Sequence, residues 1–244
     1  MKHIVNVVLD EKFIDDVIVY HDSVDSCSEH LYYYITDISD YCFKYIKNVN
    51  RIIRISVDDF MSIINNSNVD AIFLHCLYSL PLEYLPQIKR EIKVFWFAWG
   101  YDMYGNSLLI PINLYHPLTK AFLFKEDSIR RRILYSLKKI YRWLFRTDWN
   151  RLLYENAVSR IDYFSGVLPI EYDLAKKKKY FNAKRVEYKY FSLQSMKISC
   201  SVDSTEKKNI LIGNSSAPTN NHLDIFNLLK DVDFHESKCR CFNT

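Results

Sequence analysis

Short apolar runs rich in Ile, Val, Phe and Tyr recur along the chain, separated by segments whose apolar positions follow helical spacing. The runs at residues 3–9, 30–35, 51–55, 71–76, 93–98, 161–165, 186–190 and 209–212 predict eight strands. Several are continuous rather than alternating, the pattern of strands covered on both faces. Ser56 ahead of Val57, Asp58 and Asp59 reads as the capped start of a helix reaching residue 66. Pro81 opens a second helix reaching residue 91, residues 128–146 form the longest, and Pro169 starts another before EYDLAKKKKYF. Strand–helix alternation of this kind implies βα units on a mostly parallel sheet, an α/β fold.

Residues 192–207 break the pattern with the polar run SCSVDSTEKK and read as an interdomain linker. The expected organisation is a first α/β domain over 1–191, the linker over 192–207, and the start of a second domain over 208–244. From Lys207 to Thr244 only 38 residues remain, enough for one strand, one loop and one helix. So short a piece cannot bury a core of its own. The closing CRCFNT carries neither strand nor helix signal, and a truncated second domain is the expectation.

Composition narrows the class. The chain has 244 residues, 49% hydrophobic and 25% charged, which is ordinary globular usage and excludes a disordered chain. No apolar stretch approaches the ~18 residues of a membrane span, and Asp10 and Glu11 interrupt what would be a signal peptide's apolar region. Six cysteines, at 27, 42, 76, 200, 239 and 241, show no metal-ligand spacing and read as free thiols of a reducing cytoplasm. A net charge of +4 is mild for a nucleic-acid binder. The four glycines are few enough for each to matter, and Gly100, Gly105, Gly166 and Gly213 each follow a predicted strand.

Three segments can carry chemistry. In the first, a strand ends at Gly213 and a polar loop leads to a helix starting near Thr219 or Asn220. Ligands of open α/β sheets bind beyond the carboxyl ends of strands, and helix N-termini favour phosphate. Gly213 would allow close approach while Asn214, Ser215 and Ser216 donate to a diphosphate; a plain capped turn is the alternative. In the second, KVFWFAWGYDMYG runs an aromatic strand into Gly100 and then Asp102 between tyrosines. Rings beside a carboxylate suit a sugar, and Asp102 would serve as general base; a core strand with Asp102 capping a turn is the alternative. His75 ends a strand where it would face the same cleft, or would fill a core or turn position. In the third, residues 125–146 hold eight basic and two acidic residues over one apolar stripe. Such a helix, with Arg130, Arg131, Arg132, Lys138, Lys139 and Arg142, suits an anionic membrane or a lipid phosphate, or packs on the sheet with a solvated basic face. Lys176–Lys179 form a second basic cluster.

The strand–loop–helix ILIGNSSAPTNNHLDIFNLL, together with VFWFAWGYDMY, resembles glycosyltransferase family 56, the TDP-N-acetylfucosamine:lipid II N-acetylfucosaminyltransferases, also labelled 4-alpha-L-fucosyltransferases. The resemblance implies a GT-B-like fold: a Rossmann-like N-terminal domain holding the acceptor, and a Rossmann-like C-terminal domain, incomplete here, holding the nucleotide. It implies transfer of a deoxyamino sugar from a dTDP-sugar donor to a lipid-linked, polyprenyl-diphosphate saccharide acceptor in bacterial surface glycan synthesis. No metal or other cofactor is expected, and no nucleic-acid partner. The place implied is cytoplasmic, peripheral to the inner face of the plasma membrane. Carried over by position, Gly213, Asn214, Ser215, Asn220, Asn221 and His222 belong to the diphosphate loop. Trp99, Gly100, Asp102 and Tyr104 line the acceptor cleft. Base and ribose contacts would come from βα units that do not follow, so weak or absent activity is expected. The alternative is a non-catalytic α/β module binding an anionic membrane or partner through the basic helix. A single-strand nucleic-acid binder ranks last.

Overall fold

The computed structural model describes residues 1–38, 40–104, 109–110, 114–123, 149–188, 208–212, 217–232 and 237–240. Two compact units form, one of Met1–Pro111 with Asp148–Lys197, the other of Ile112–Thr147 with Ile198–Thr244.

The first unit is built on seven strands: β1 (Lys2–Val8), β2 (Ser28–Ile35), β3 (Ile52–Ile55), β4 (Ala71–Leu74), β5 (Lys93–Phe97), β6 (Tyr163–Ser165) and β7 (Lys184–Arg185). They make one sheet in the order β3-β2-β1-β4-β5-β6-β7, every neighbouring pair parallel. This is an α/β, Rossmann-like fold. Register sets Tyr33, Val7, Leu74, Trp96 and Phe164 side by side across five strands, and Tyr32, Asn6, Phe73, Phe95 and Tyr163 in the next row. Successive residues of a strand face opposite ways, so the first row is one face and the second the other. Helices cover both, which is why the strands read as unbroken apolar runs. Helix α1 (Ile14–Val24) buries Ile14, Val17 and Ile18 with Val8, Tyr32 and Ile52. Helix α2 (Val57–Asn66) sinks Phe60, Met61 and Ile64 into the larger core with Val5, Val7 and Trp96. Its cap is as expected: the Ser56 hydroxyl accepts from the Asp59 N–H at 3.2 Å.

Further along lie α3 (Tyr101–Tyr104), α4 (Pro117–Leu123), α5 (Trp149–Ser159) and α6 (Pro169–Ala175). The helix expected over 81–91 is absent, and only a single 3₁₀ turn, Leu85–Gln87, forms there. Pro86 explains the difference, since it has no N–H to give and its ring clashes with a helical carbonyl four residues back. The strand expected over 186–190 pairs earlier, at Lys184–Arg185. The helix expected over 128–146 lies outside the described residues.

The second unit contains β8 (Lys208–Leu211), α7 (His222–Leu229) and β9 (Ser237–Arg240), with β8 and β9 paired in parallel. A parallel βαβ unit thus ends where the sequence offers no strand signal. Helix α4 belongs here as well. The Asp224 carboxylate of α7 accepts from the N–H groups of Leu118 and Thr119 at 2.9 and 2.8 Å, and from the Thr119 hydroxyl at 2.6 Å, capping α4. The described residues 114–123 therefore group with the C-terminal segment instead of the 1–191 domain expected for them. The chain crosses between units for the last time at 197/198, within the stretch expected to be a linker. Among the described residues no helix is long and apolar enough to cross a membrane.

One buried cation ties the first unit together. Arg160, only 1% exposed, donates to the carbonyls of Ile88, Lys89 and Ile92 at 3.1, 2.6 and 2.7 Å and to Asp162 at 2.8 Å. Asp162 in turn accepts from the Val94 N–H at 2.9 Å, aligning the starts of β5 and β6. Arg160→Ala strands three buried carbonyls and is expected to destabilise the first unit by about 3 kcal/mol or more. Urea unfolding followed by tryptophan fluorescence measures it, and an unchanged midpoint would remove this role.

Candidate functional site

Strand order runs outward from β1 one way through β2 and β3, and the other way from β4 through β7. The reversal lies between β1 and β4, so the ligand crevice of such a sheet opens beyond the carboxyl ends of these two strands. The loops after β1, β4, β5 and β6 surround it.

Asp102 holds two of those loops. Its carboxylate accepts from the Leu77 N–H at 3.0 Å, the Trp96 indole N–H at 2.7 Å and the Trp99 N–H at 3.2 Å. Gly100 makes the turn possible by adopting φ of +99°, a conformation that residues with a Cβ rarely take. Asp102 is 0% exposed. A general base must reach the reacting hydroxyl. A carboxylate with no exposed surface and three N–H donors does not, so Asp102 anchors the crevice in place of the catalytic role expected of it. Trp99 is half-buried beside it, its ring edge-on to Phe13 from the loop after β1 at 5.1 Å.

The loop after β1 carries two adjacent acids in different environments. Asp10 accepts from the N–H groups of Lys44, Tyr45 and Ile46 at 2.6, 2.9 and 3.1 Å and from the Tyr41 hydroxyl at 3.2 Å. Burial pushes its pKa up, but these donors outweigh it and hold the group below the ordinary range. Glu11 is half-buried, and its carboxylate has no hydrogen-bond or ion-pair partner among the described residues. Burial, reinforced by the Asp10 charge, raises its pKa, with Lys12 pulling weakly the other way. A half-buried carboxyl with a raised pKa in the loop after β1 is the profile of a proton-transfer group. Glu11 is not among the residues that the sequence pattern singles out. Its only signal there is its place just past the first strand.

Beneath the crevice, on the Asn6 face of the sheet, lies a buried polar network. His75 is 1% exposed; its Nε2 meets the Asn6 side-chain oxygen at 3.0 Å, and the Asn6 amide nitrogen meets His30 Nδ1 at 3.2 Å. His30 Nε2 continues to Asp25 at 3.2 Å. The His21 ring stacks on His30 at 4.2 Å, with its nitrogens 2.9 Å from the hydroxyls of Tyr32 and Tyr188. Burial, and then His30 beside it, pushes His21 down to about 3; burial lowers His75 as well. Both imidazoles are neutral at pH 7. His75 therefore lies in the floor under the cleft, away from its surface. Among the described residues no group of three or more His, Cys, Asp or Glu side chains is arranged to hold a metal ion.

The far side of the crevice is formed at β6. A cavity of about 250 Å³ is lined there by Ser165, Gly166, Tyr172, Arg185, Glu187 and Tyr188. Glu171 is 2% exposed and accepts from the Leu168 N–H at 2.8 Å and from the Tyr104 hydroxyl. A Cβ at Gly166 would fall onto this carboxylate, so the close approach needs glycine. Burial and then Glu171 raise the Tyr104 pKa, and Tyr104 works as a strut between the loops after β5 and β6.

In the second unit, Asn220 closes a 3₁₀ turn over Pro218–Asn220, and Asn221 follows in the left-handed region with φ of 53°. The Asn221 side chain accepts from the His116 N–H at 2.8 Å and donates to the Leu114 carbonyl at 3.0 Å. Both polar ends of the Asn221 side chain are thereby engaged with the segment leading into α4. His222 opens α7 with its ring 6.4 Å from Phe226. Gly213, Asn214, Ser215 and Ser216 lie outside the described residues, as do Arg130, Arg131, Arg132, Lys138, Lys139 and Arg142. Comparison with protein families, curated proteins and solved structures gives no match.

The neutral histidines give the first unit an acid sensitivity of defined sign. Their folded pKa values lie below the ordinary 6.5, so the stability is complete above about pH 6.5 and is lost as pH falls from there towards 3. Each histidine contributes a slope of up to about 1.4 kcal/mol per pH unit within that window. Depressed aspartates such as Asp10 act with the same sign only lower, below about pH 4. Urea midpoints at pH 7, 6 and 5 are expected to fall in sequence, and less steeply in His21→Leu. A flat profile over that range would contradict neutral buried histidines.

Proposed function

We propose that the chain is a glycosyltransferase that takes a deoxyamino sugar from a dTDP-sugar donor to a hydroxyl of a polyprenyl-diphosphate-linked saccharide, working as a peripheral enzyme at the cytoplasmic face of the membrane. The observation that carries this reading is the sequence of two α/β units: a seven-stranded parallel sheet with its switch point at β1 and β4, then a parallel βαβ unit over β8, α7 and β9. A two-domain nucleotide-sugar enzyme is built from α/β units of this kind, and β8, α7 and β9 supply one βαβ step of the second. The motif resemblance in ILIGNSSAPTNNH supports the donor class, and the aromatic loop at Trp99 supports a saccharide in the crevice.

The base in this proposal moves from Asp102 to Glu11. The acceptor hydroxyl attacks the anomeric carbon, forming the new C–O bond as the bond from that carbon to the diphosphate oxygen breaks. The electron pair leaves with dTDP, and the hydroxyl proton passes to the Glu11 carboxylate. A raised pKa makes Glu11 a stronger acceptor for that proton than an ordinary glutamate.

Transfer from dTDP-, UDP- and GDP-sugars to a detergent-solubilised polyprenyl-diphosphate disaccharide is the test. Slow protein-dependent product with the dTDP donor is expected, in line with the weak activity expected from the sequence, and Glu11→Gln is expected to lower kcat about 100-fold further with KM nearly unchanged. A variant that keeps the parent rate removes Glu11 as base. No transfer from any donor, combined with no nucleotide binding by calorimetry, removes the glycosyltransferase reading.

A further inference from the structure

We propose that the amino edge of the first unit's sheet carries a separate ligand site that binds a phosphate group. It lies at the strand ends opposite the crevice, shares no residue with it, and does not depend on the glycosyltransferase reading. A cavity of about 470 Å³ opens there, lined by Arg90, Lys93, Lys184, Asp162, Tyr163 and Asn182. Lys93 begins β5 and Lys184 begins β7, with β6 between them, so sheet register brings the two lysines to one mouth.

Charge is the reason for assigning a phosphate. The side chains of Arg90, Lys93 and Lys184 are exposed, and none has a hydrogen-bond or ion-pair partner among the described residues. The one acid in the lining does not offset them. Asp162 is taken by Arg160 at 2.8 Å and by the Val94 N–H at 2.9 Å. Arg160 spends its remaining donors on the Ile88, Lys89 and Ile92 carbonyls, so that pair is self-contained. Three cations left around one concavity repel each other, and a dianion between them turns the repulsion into attraction. The Asn182 amide adds a neutral donor. The connection from β6 back to the start of β7 carries the run Lys176–Lys179, further positive charge on the path into the same edge.

Size sets what carries the phosphate. The cavity falls within the range of about 300–1,000 Å³ usual for small-molecule sites and exceeds what a single inorganic phosphate fills. The phosphate is therefore borne on a larger body, either a soluble phosphorylated molecule or a phospholipid headgroup.

Calorimetry on the full chain with inorganic pyrophosphate, and co-sedimentation with phosphatidylglycerol against phosphatidylcholine vesicles, test the site and separate its two sources. Saturable pyrophosphate binding is expected, weakening with added KCl, by about fivefold for each cation removed and by more than tenfold in the combined Arg90→Gln, Lys93→Gln, Lys184→Gln variant. Lys184→Arg should retain binding, and Lys47→Gln, an exposed lysine elsewhere, should leave it unchanged. Binding to phosphatidylglycerol vesicles alone, lost in the combined variant, supports the site and assigns it to a headgroup. If circular dichroism finds the combined variant unfolded, Lys184→Gln alone is read in its place. No saturable binding to either probe, or binding that the charge-removing variants keep, overturns the proposal.

Discussion

The Asp102 carboxylate is the constraint on which the crevice depends. Beside β5 it receives the indole N–H of Trp96, beyond β5 the backbone N–H of Trp99, and beyond β4 the backbone N–H of Leu77. Two loops that would otherwise leave their strands independently are fixed to one buried carboxyl group. A polar group without exposed surface is tolerated only when its hydrogen bonds are made, and these three make them. Trp99 is thereby held against Phe13, and the loops after β1 and β5 meet across the switch point.

The two faces of the sheet divide the work. The face of Val7, Leu74, Trp96 and Phe164 is an apolar core of the usual kind. The opposite face places Asn6, His30, His75 and Tyr32 under α1, with His21 and Tyr188 completing the network. Buried polar groups cost little when paired and much when broken, so this face gives the crevice a defined floor but makes it sensitive to acid. Above that floor, Asp10 is saturated by four donors while its neighbour Glu11 is left open. One acid shapes the loop and the next is available for chemistry.

Much of the first unit was legible because parallel, doubly covered strands read as unbroken apolar runs. The capped helix after Ser56 was legible for the same local reasons. The failures have identifiable causes. Pro86 interrupts a helical pattern that apolar spacing alone suggests. Strand β9 arises from pairing with β8, which no local signal in SKCR announces. Helix α4 joins the second unit through Asn221 and Asp224, more than a hundred residues away. The crevice lining was partly legible. WGYDMY marked the loop after β5, but periodicity cannot tell a fully buried acid from a half-buried one, so Asp102 stood out and Glu11 did not. That distinction depends on which backbone N–H groups the fold brings within reach.

Carboxyl-carbon NMR titration of the full chain, resolving Glu11 from the other acids, bears most directly on the claim that Glu11, in the loop after β1, is the proton-transfer acid. Glu11 is expected to titrate above the exposed glutamates and Asp10 below the exposed aspartates, with the Glu11 signal shifting when the acceptor saccharide is added. A Glu11 midpoint within the ordinary glutamate range, unmoved by the saccharide, would contradict the account.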